Sequence, residues 1–288
     1  MTLAPGVDPA ELFTAVEGRS RRIDTPCGAG TMAWRTWGDD RPDLTPIVLG
    51  HGAQGSWSHW IANIDALARE RPVIAVDLPG HGDSAMPATP DHAGLTRALA
   101  EGLPQVAGRD RPVDLVGFSF SGTAFAHLAA ACPEMVRRLI LVGCGGFDTP
   151  LGEIRLGSIK GLSGEERTEA LRRNLLGLML HRSESADAVA IHQLVTNARM
   201  ARLDNAAELV LPDKLIRVLP QVRCQVDAIW GEFDRPHPDP ALHEGLLRRR
   251  DPGVDFRTIA DAGHWVMYEQ PGAFNAALLD MLRRPLRP

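Results

Sequence analysis

The sequence predicts an α/β fold: a mixed, mainly parallel central sheet flanked by helices, with a helical segment inserted between two of its strands. Two observations predict it. Short apolar runs alternate with longer stretches of helical apolar spacing, the rhythm of strand, crossover helix and parallel strand. The runs are continuous rather than alternating, as strands covered on both faces require. The chain's 288 residues, 44% hydrophobic and 23% charged, are enough for one large domain of this kind.

The elements follow in order. RRIDTP and TMAWRTWG read as an antiparallel entry pair. The buried strands come next: TPIVLGHG (45–52), RPVIAVDLPG (71–80), PVDLVGFS (112–119) and RRLILVGCGG (137–146). Between them SWSHWIANIDALARE, DHAGLTRALAEGL and SGTAFAHLAAACPE have apolar residues at helical spacing. After Gly146 the pattern changes over a stretch too long for a structureless loop. EERTEALRRNLLGLMLH and SADAVAIHQLVTNARMARL predict amphipathic helices there, with His181 and His192 on them. The sheet pattern resumes in VDAIWGEFD (226–234) and VDFRTIADAGH (254–264), separated by a helical stretch holding His243, and PGAFNAALLDMLRR closes the chain as a helix. We therefore expect a core of residues 1–146 and 221–288 and a helical cap, or lid, over 147–220.

The net charge of -5 is spread along the chain without a basic run, which excludes a phosphate-binding face and hence nucleic acid as a partner. Arg248, Arg249 and Arg250 read as a solvated helix end. The opening MTLAPGVDPAELF has no basic segment followed by an apolar one, and no later stretch approaches membrane-spanning length, so a cytoplasmic protein with no membrane partner is expected. Cys27, Cys132, Cys144 and Cys224 lack metal-site spacing and read as reduced structural thiols, with no metal expected; Cys144, in GCGG, is the one placed near a site.

Chemistry concentrates at the ends of the predicted strands. In GFSFS, Ser119 stands where a strand runs straight into a helix, with small residues at 117 and 121. A serine on such a strained turn presents its hydroxyl above a helix N-terminus. HGAQGSW (51–57) ends the strand TPIVLG, and its tight turn would let the N–H of Ala53 join that of Phe120 in binding an oxyanion. His51 reads as a structural residue of that loop, and His81 belongs to DLPGHGDS. Asp234 follows VDAIWGEF, where a carboxylate points into the crevice at the carboxyl edge of a parallel sheet. Asp148 is the rival acid. His264, in DAGHWVMYE, sits where an imidazole would take the Ser119 proton and be oriented by Asp234. The chain order Ser, acid, His, each member after a strand, is that of one fold.

On these motifs the sequence resembles the α/β-hydrolase family over nearly its whole length. HGAQGSWSHW looks like the oxyanion loop, DLPGHGDS like the strand-four turn, GFSFS like the nucleophile elbow, WGEFD like the acid loop and GHWVMYEQP like the histidine loop. The resemblance implies a Ser119, Asp234, His264 triad that needs no cofactor. One departure is Ser121, where the family's elbow usually ends in glycine. Serine at 119 argues against the branches that use aspartate there. The expected activity is that of a serine hydrolase, a carboxylesterase-like enzyme acting on a small or medium ester or related acyl substrate. A second reading is a carbon-carbon bond hydrolase of meta-cleavage products, similar in its His264-Trp265 pair and LVGCGGF stretch, but departing from that group because HGAQGSW lacks a Gly-Pro-Gly pattern. A third is a non-catalytic small-molecule binding protein of the same fold. Trp57, Arg199 and Trp265 are candidates for substrate contact, Arg199 as an anchor for a substrate carboxylate. The expected partner is a small-molecule substrate, with homo-oligomerisation left open.

Overall fold

The computed structural model describes residues 7–41 and 43–287. β1 (Arg21–Cys27) and β2 (Gly30–Trp37) form the antiparallel entry pair, with Cys27 opposite Gly30. β2 pairs antiparallel with β4 (Val73–Val76). β3 (Ile47–Gly50), β5 (Val113–Phe118), β6 (Val136–Val142), β7 (Gln225–Gly231) and β8 (Phe256–Ile259) complete a sheet of order β1-β2-β4-β3-β5-β6-β7-β8, parallel from β4 onward. From β3 the chain first adds β4 on one side and then β5 on the other. This reversal opens a crevice at the carboxyl ends of β3 and β5, where open α/β sheets bind ligands.

The central strands β3 to β7 each serve two cores, which explains their largely apolar runs. Val48, Leu115 and Leu141 face one side, packed with α3 (His92–Ala107) and α4 (Phe120–Ala131); Leu49, Val116 and Ile140 face the other, with α2 (Ile64–Ala68) and the closing helix. The sequence reading did not include α1 (Pro9–Glu17). Asp8 caps it by accepting the Glu11 N–H at 3.1 Å, and Pro9 occupies its first turn.

Between β6 and β7 lie α5 (Gly164–Leu178), α6 (Ala188–Met200) and α7 (Lys214–Val218). α5 packs on α6, whereas α7 packs on α4 and buries Leu215 and Val218 in the core that holds Leu128 and Trp230. The final helix of the insert is thus part of the layer covering the sheet. His181 lies beyond the end of α5 rather than on a helix. α8 (Pro240–Arg250) precedes β8, and α9 (Val266–Glu269) and α10 (Pro271–Arg283) end the described chain. Among the described residues no helix is long and apolar enough to cross a membrane.

Two ties hold the insert over the crevice. On one side the N–H groups of Arg202 and Leu203 both donate to the Gly80 carbonyl, at 2.7 and 3.2 Å. On the other the buried Glu269 carboxylate accepts from the N–H groups of His181 (3.0 Å), Arg182 (2.8 Å) and Gly263 (2.6 Å), while Trp265 N–H donates to the Met179 carbonyl at 2.8 Å. Burial raises the Glu269 pKa, and those three donors oppose the shift by favouring the carboxylate.

Candidate active site

The turn from β5 into α4 places Ser119 at φ 52° and ψ -112°, a conformation side chains rarely adopt. Its neighbours must be small for measurable reasons. A Cβ on Gly117 would lie 2.7 Å from the Gly122 backbone, and one on Gly122 would lie 2.1 Å from Cys144 Sγ. Ser121 fits in place of the usual glycine because its hydroxyl turns inward and donates to the Phe118 carbonyl at 3.0 Å. Cys144, fully buried under the elbow, donates to the Gly117 carbonyl, and burial pushes its thiol pKa up. It is a packing residue there.

Three strand-end residues come together. His264 Nε2 is 3.1 Å from Ser119 Oγ, and His264 Nδ1 is 2.9 Å from Asp234 Oδ2. Asp234 is fully buried, and its second oxygen accepts the His237 N–H at 2.9 Å. With Nδ1 donating to the carboxylate, Nε2 is left as the acceptor facing the serine hydroxyl. Asp148, the rival acid, is an exposed residue at φ 56° whose N–H donates to the Pro212 carbonyl; the imidazole is bonded to Asp234 instead.

His51 orders the oxyanion-type loop as expected. Its Nδ1 lies 2.7 Å from the Gly52 carbonyl and its Nε2 accepts the Leu78 N–H at 2.9 Å. Both contacts suit the neutral Nδ1–H ring, and burial holds its pKa well below the usual value. The strand-four turn braces the same loop from Asp77, which accepts the Trp57 N–H at 2.7 Å and the Asp83 N–H at 3.1 Å while pairing with Arg35. Ala53 and Phe120 flank Ser119 in the wall of one pocket, and among the described residues no protein acceptor takes either N–H. Two free donors beside a serine hydroxyl are what a developing oxyanion requires.

That pocket, of about 260 Å³, is walled by apolar side chains that include Phe118, Leu178, Met179 and Val210. None of the three residues proposed to contact substrate lines it. Trp57 is buried against Phe13 and Trp37 with Arg35 over its ring, because the unforeseen α1 covers it. Trp265 stacks on Tyr268 at 4.4 Å and donates from Nε1 to the His59 carbonyl, so it supports the histidine loop from behind. Arg199 lines a neighbouring cleft of about 350 Å³ between α5 and α6, which among the described residues shares only Leu178 and Met179 with the serine pocket.

Sequence reasoning missed His237 and Gly143. His237 follows Asp234 by three residues, the spacing at which a carboxylate takes a backbone N–H in a turn, and that spacing was the available signal. Gly143, at φ 52°, passes so close that a Cβ would lie 2.9 Å from Asp234 Oδ2; nothing in GCGG distinguishes it from its neighbours. Asp234, His237 and His264 also present ligand-type atoms within 4.8 Å of one another, but the Asp234 and His264 side chains are already bonded to each other.

Residues 47–277 match the α/β hydrolase family model. A 2-hydroxy-6-oxononadienedioate/2-hydroxy-6-oxononatrienedioate hydrolase of Paraburkholderia phymatum is 30% identical over 94% of this chain and 99% of its own length. The enol-lactonase of Burkholderia xenovorans aligns with a TM-score of 0.71 at 21% identity, over 91% of this chain and all of that one. A thermophilic esterase of Thermogutta terrifontis gives 0.69 at 21% identity, over 91% of this chain and 98% of that one. Those structural likenesses establish the fold, and the family match, running from β3 into α10, adds the lineage: the chain belongs to the α/β hydrolase family and is a hydrolase.

Proposed function

We propose that this hydrolase cleaves neutral carboxylic esters of small or medium size through an acyl-enzyme. The observation that carries the reading is the pocket beside Ser119: among its described lining residues there is no lysine, arginine, aspartate or glutamate. A substrate bearing a carboxylate would lose its hydration there without gaining a cation. An apolar acyl or alcohol chain gains instead, at roughly 25 cal/mol per Å² buried. Leu151 and Ile154, both exposed, extend the apolar wall to the rim.

In this mechanism His264 takes the Ser119 proton as Oγ attacks the ester carbonyl. Asp234 holds the imidazole with Nδ1 protonated and stabilises the imidazolium. The N–H groups of Ala53 and Phe120 bind the oxyanion, each contributing about 3 to 4 kcal/mol to lowering the barrier. His264 then protonates the leaving alkoxide, and a water activated by the same imidazole releases the acid. The part of the insert before α7 serves as the cap, supplying the Leu178, Met179 and Val210 wall. Four free cysteines, two of them buried, suit a reducing compartment, and we place the protein in the cytoplasm.

A second reading draws on the sequence relative, whose named substrate is a dioate: carbon-carbon cleavage of a vinylogous diketone, with Arg199 as the anchor. The position of Arg199 in the neighbouring cleft weighs against it. Turnover of a nitrophenyl ester series beside a vinylogous diketone carboxylate, by wild type and Ser119→Ala, separates the two. Ester turnover lost on the order of a millionfold in the variant supports the proposal. Preferential cleavage of the diketone replaces it.

A further inference from the structure

The serine pocket has three polar side chains among its described lining residues: Ser119, His264 and His237. The mechanism uses the first two and leaves the third idle. His237 is nevertheless held in register with them, because its backbone N–H is bonded to Asp234 Oδ1. Its ring stands edge-on to His264 with centroids 5.6 Å apart, and is backed by His243 at 5.7 Å.

The two ring nitrogens differ. Nδ1 is sealed in protein with no partner. The Cε1–Nε2 edge faces Gly145, another wall residue, and a Cβ at 145 would lie 3.0 Å from Cε1 and 3.3 Å from Nε2. Glycine at that position leaves this edge open. Burial lowers the ring's pKa to about 4, against the pull of Asp234, so at neutral pH the ring is uncharged and has a single N–H. Orphaned buried N–H groups are rarer than under-satisfied acceptors. The proton therefore belongs on Nε2, where a ligand can meet it.

We propose that His237 is a substrate-binding residue that donates a hydrogen bond from Nε2 to an oxygen acceptor on the leaving-alcohol part of the ester. The side of the substrate follows from the chemistry of the ester reading, on which this inference rests. The leaving oxygen must come within reach of His264 Nε2 to be protonated, so the atoms beyond it pass the neighbouring imidazole. The ring separation sets the acceptor roughly two to three bonds past the leaving oxygen. The substrates singled out are esters of alkoxy- or acyloxy-substituted alcohols, with a polar atom in an otherwise apolar alcohol chain.

The test compares methoxyethyl butanoate with its isostere butyl butanoate, which replaces one ether oxygen by a methylene. The ratio of the two kcat/KM values is measured for wild type, His237→Phe and His237→Gln. Differences in intrinsic reactivity cancel when ratios are compared between proteins, and a purely structural role would lower both esters alike. The wild-type ratio should exceed that of the phenylalanine variant by about fivefold, the worth of one hydrogen bond. The glutamine variant, which keeps a side-chain N–H, should recover part of it. His237→Leu supplies the same comparison if the phenyl ring does not pack. Equal ratios in wild type and the variants, with butyl butanoate still cleaved, overturn the role of His237 and leave the ester reading standing. If wild type cleaves neither ester, both fall.

Discussion

Gly143→Ala tests the site at a position that touches no substrate. Gly143 follows β6 at φ 52°, and a methyl there would lie 2.9 Å from Asp234 Oδ2 and 3.3 Å from His264 Nδ1. Restoring ordinary van der Waals contact, 3.4 Å or more, requires Oδ2 to withdraw by about 0.5 Å. The carboxylate resists, because its other oxygen is held by the His237 N–H. The displacement therefore falls on the bond to His264. A misplacement of 1 Å in a reacting constellation costs on the order of a hundredfold, so about tenfold is expected in kcat. The ceiling is the roughly ten-thousandfold loss that follows when the acid no longer fixes the imidazole tautomer. Separately, the left-handed backbone costs about 1 to 2 kcal/mol of stability. The assay is kcat and KM for a nitrophenyl ester, with thermal unfolding measured in parallel. Gly272→Ala is the control, since in α10 its methyl would meet nothing within 4 Å. A Gly143→Ala enzyme that is less stable but turns over within twofold of wild type would refute the steric argument.

Asp234→Asn should lower kcat by about ten-thousandfold, and the same change at exposed Asp148 should leave it within about twofold; the reverse pattern in parallel assays would move the acid to Asp148. Arg199→Ala should change kcat/KM for neutral esters by less than about twofold, because Arg199 lines the neighbouring cleft; a large rise in KM confined to carboxylate-bearing substrates would instead restore the carbon-carbon reading. His127 has its pKa lowered to about 4 by burial, with His92 adding to the shift. The unfolded chain thus binds that proton first as pH falls, so stability is full above about pH 6.5 and is lost toward about pH 4. His127→Gln should flatten denaturant-derived stability across this window by a fraction of one proton, since the ring is partly exposed; parallel slopes would contradict the shift.

The centre of the sheet was legible because strands β3 to β7 are covered on both faces. Runs such as PVDLVGFS have no competing reading once helical stretches separate them. The three strand-end residues were legible because their chain order reflects topology. Direction was not legible. Trp57 and Trp265 sit beside the motifs, but one tryptophan is turned into the core by α1 and the other is tied to the His59 carbonyl. Arg199 lies on α6, none of whose described residues line the serine pocket, and which cleft α6 faces depends on how α5 and α6 pack together. The sequence reading did not include His237; its N–H bond to Asp234 fixes the turn, and its place in the pocket wall shows that the turn delivers an imidazole there. The α1 signal was present in Asp8 and Pro9.

Met179 divides its duties between main chain and side chain. Its carbonyl holds the Trp265 N–H, one residue from His264, while its side chain forms part of the pocket wall. The backbone can thus stay constant while the side chain is exchanged. Chain-length preference is free to drift at this position by single substitutions, in a laboratory or a lineage, without passing through forms in which the imidazole has lost its support.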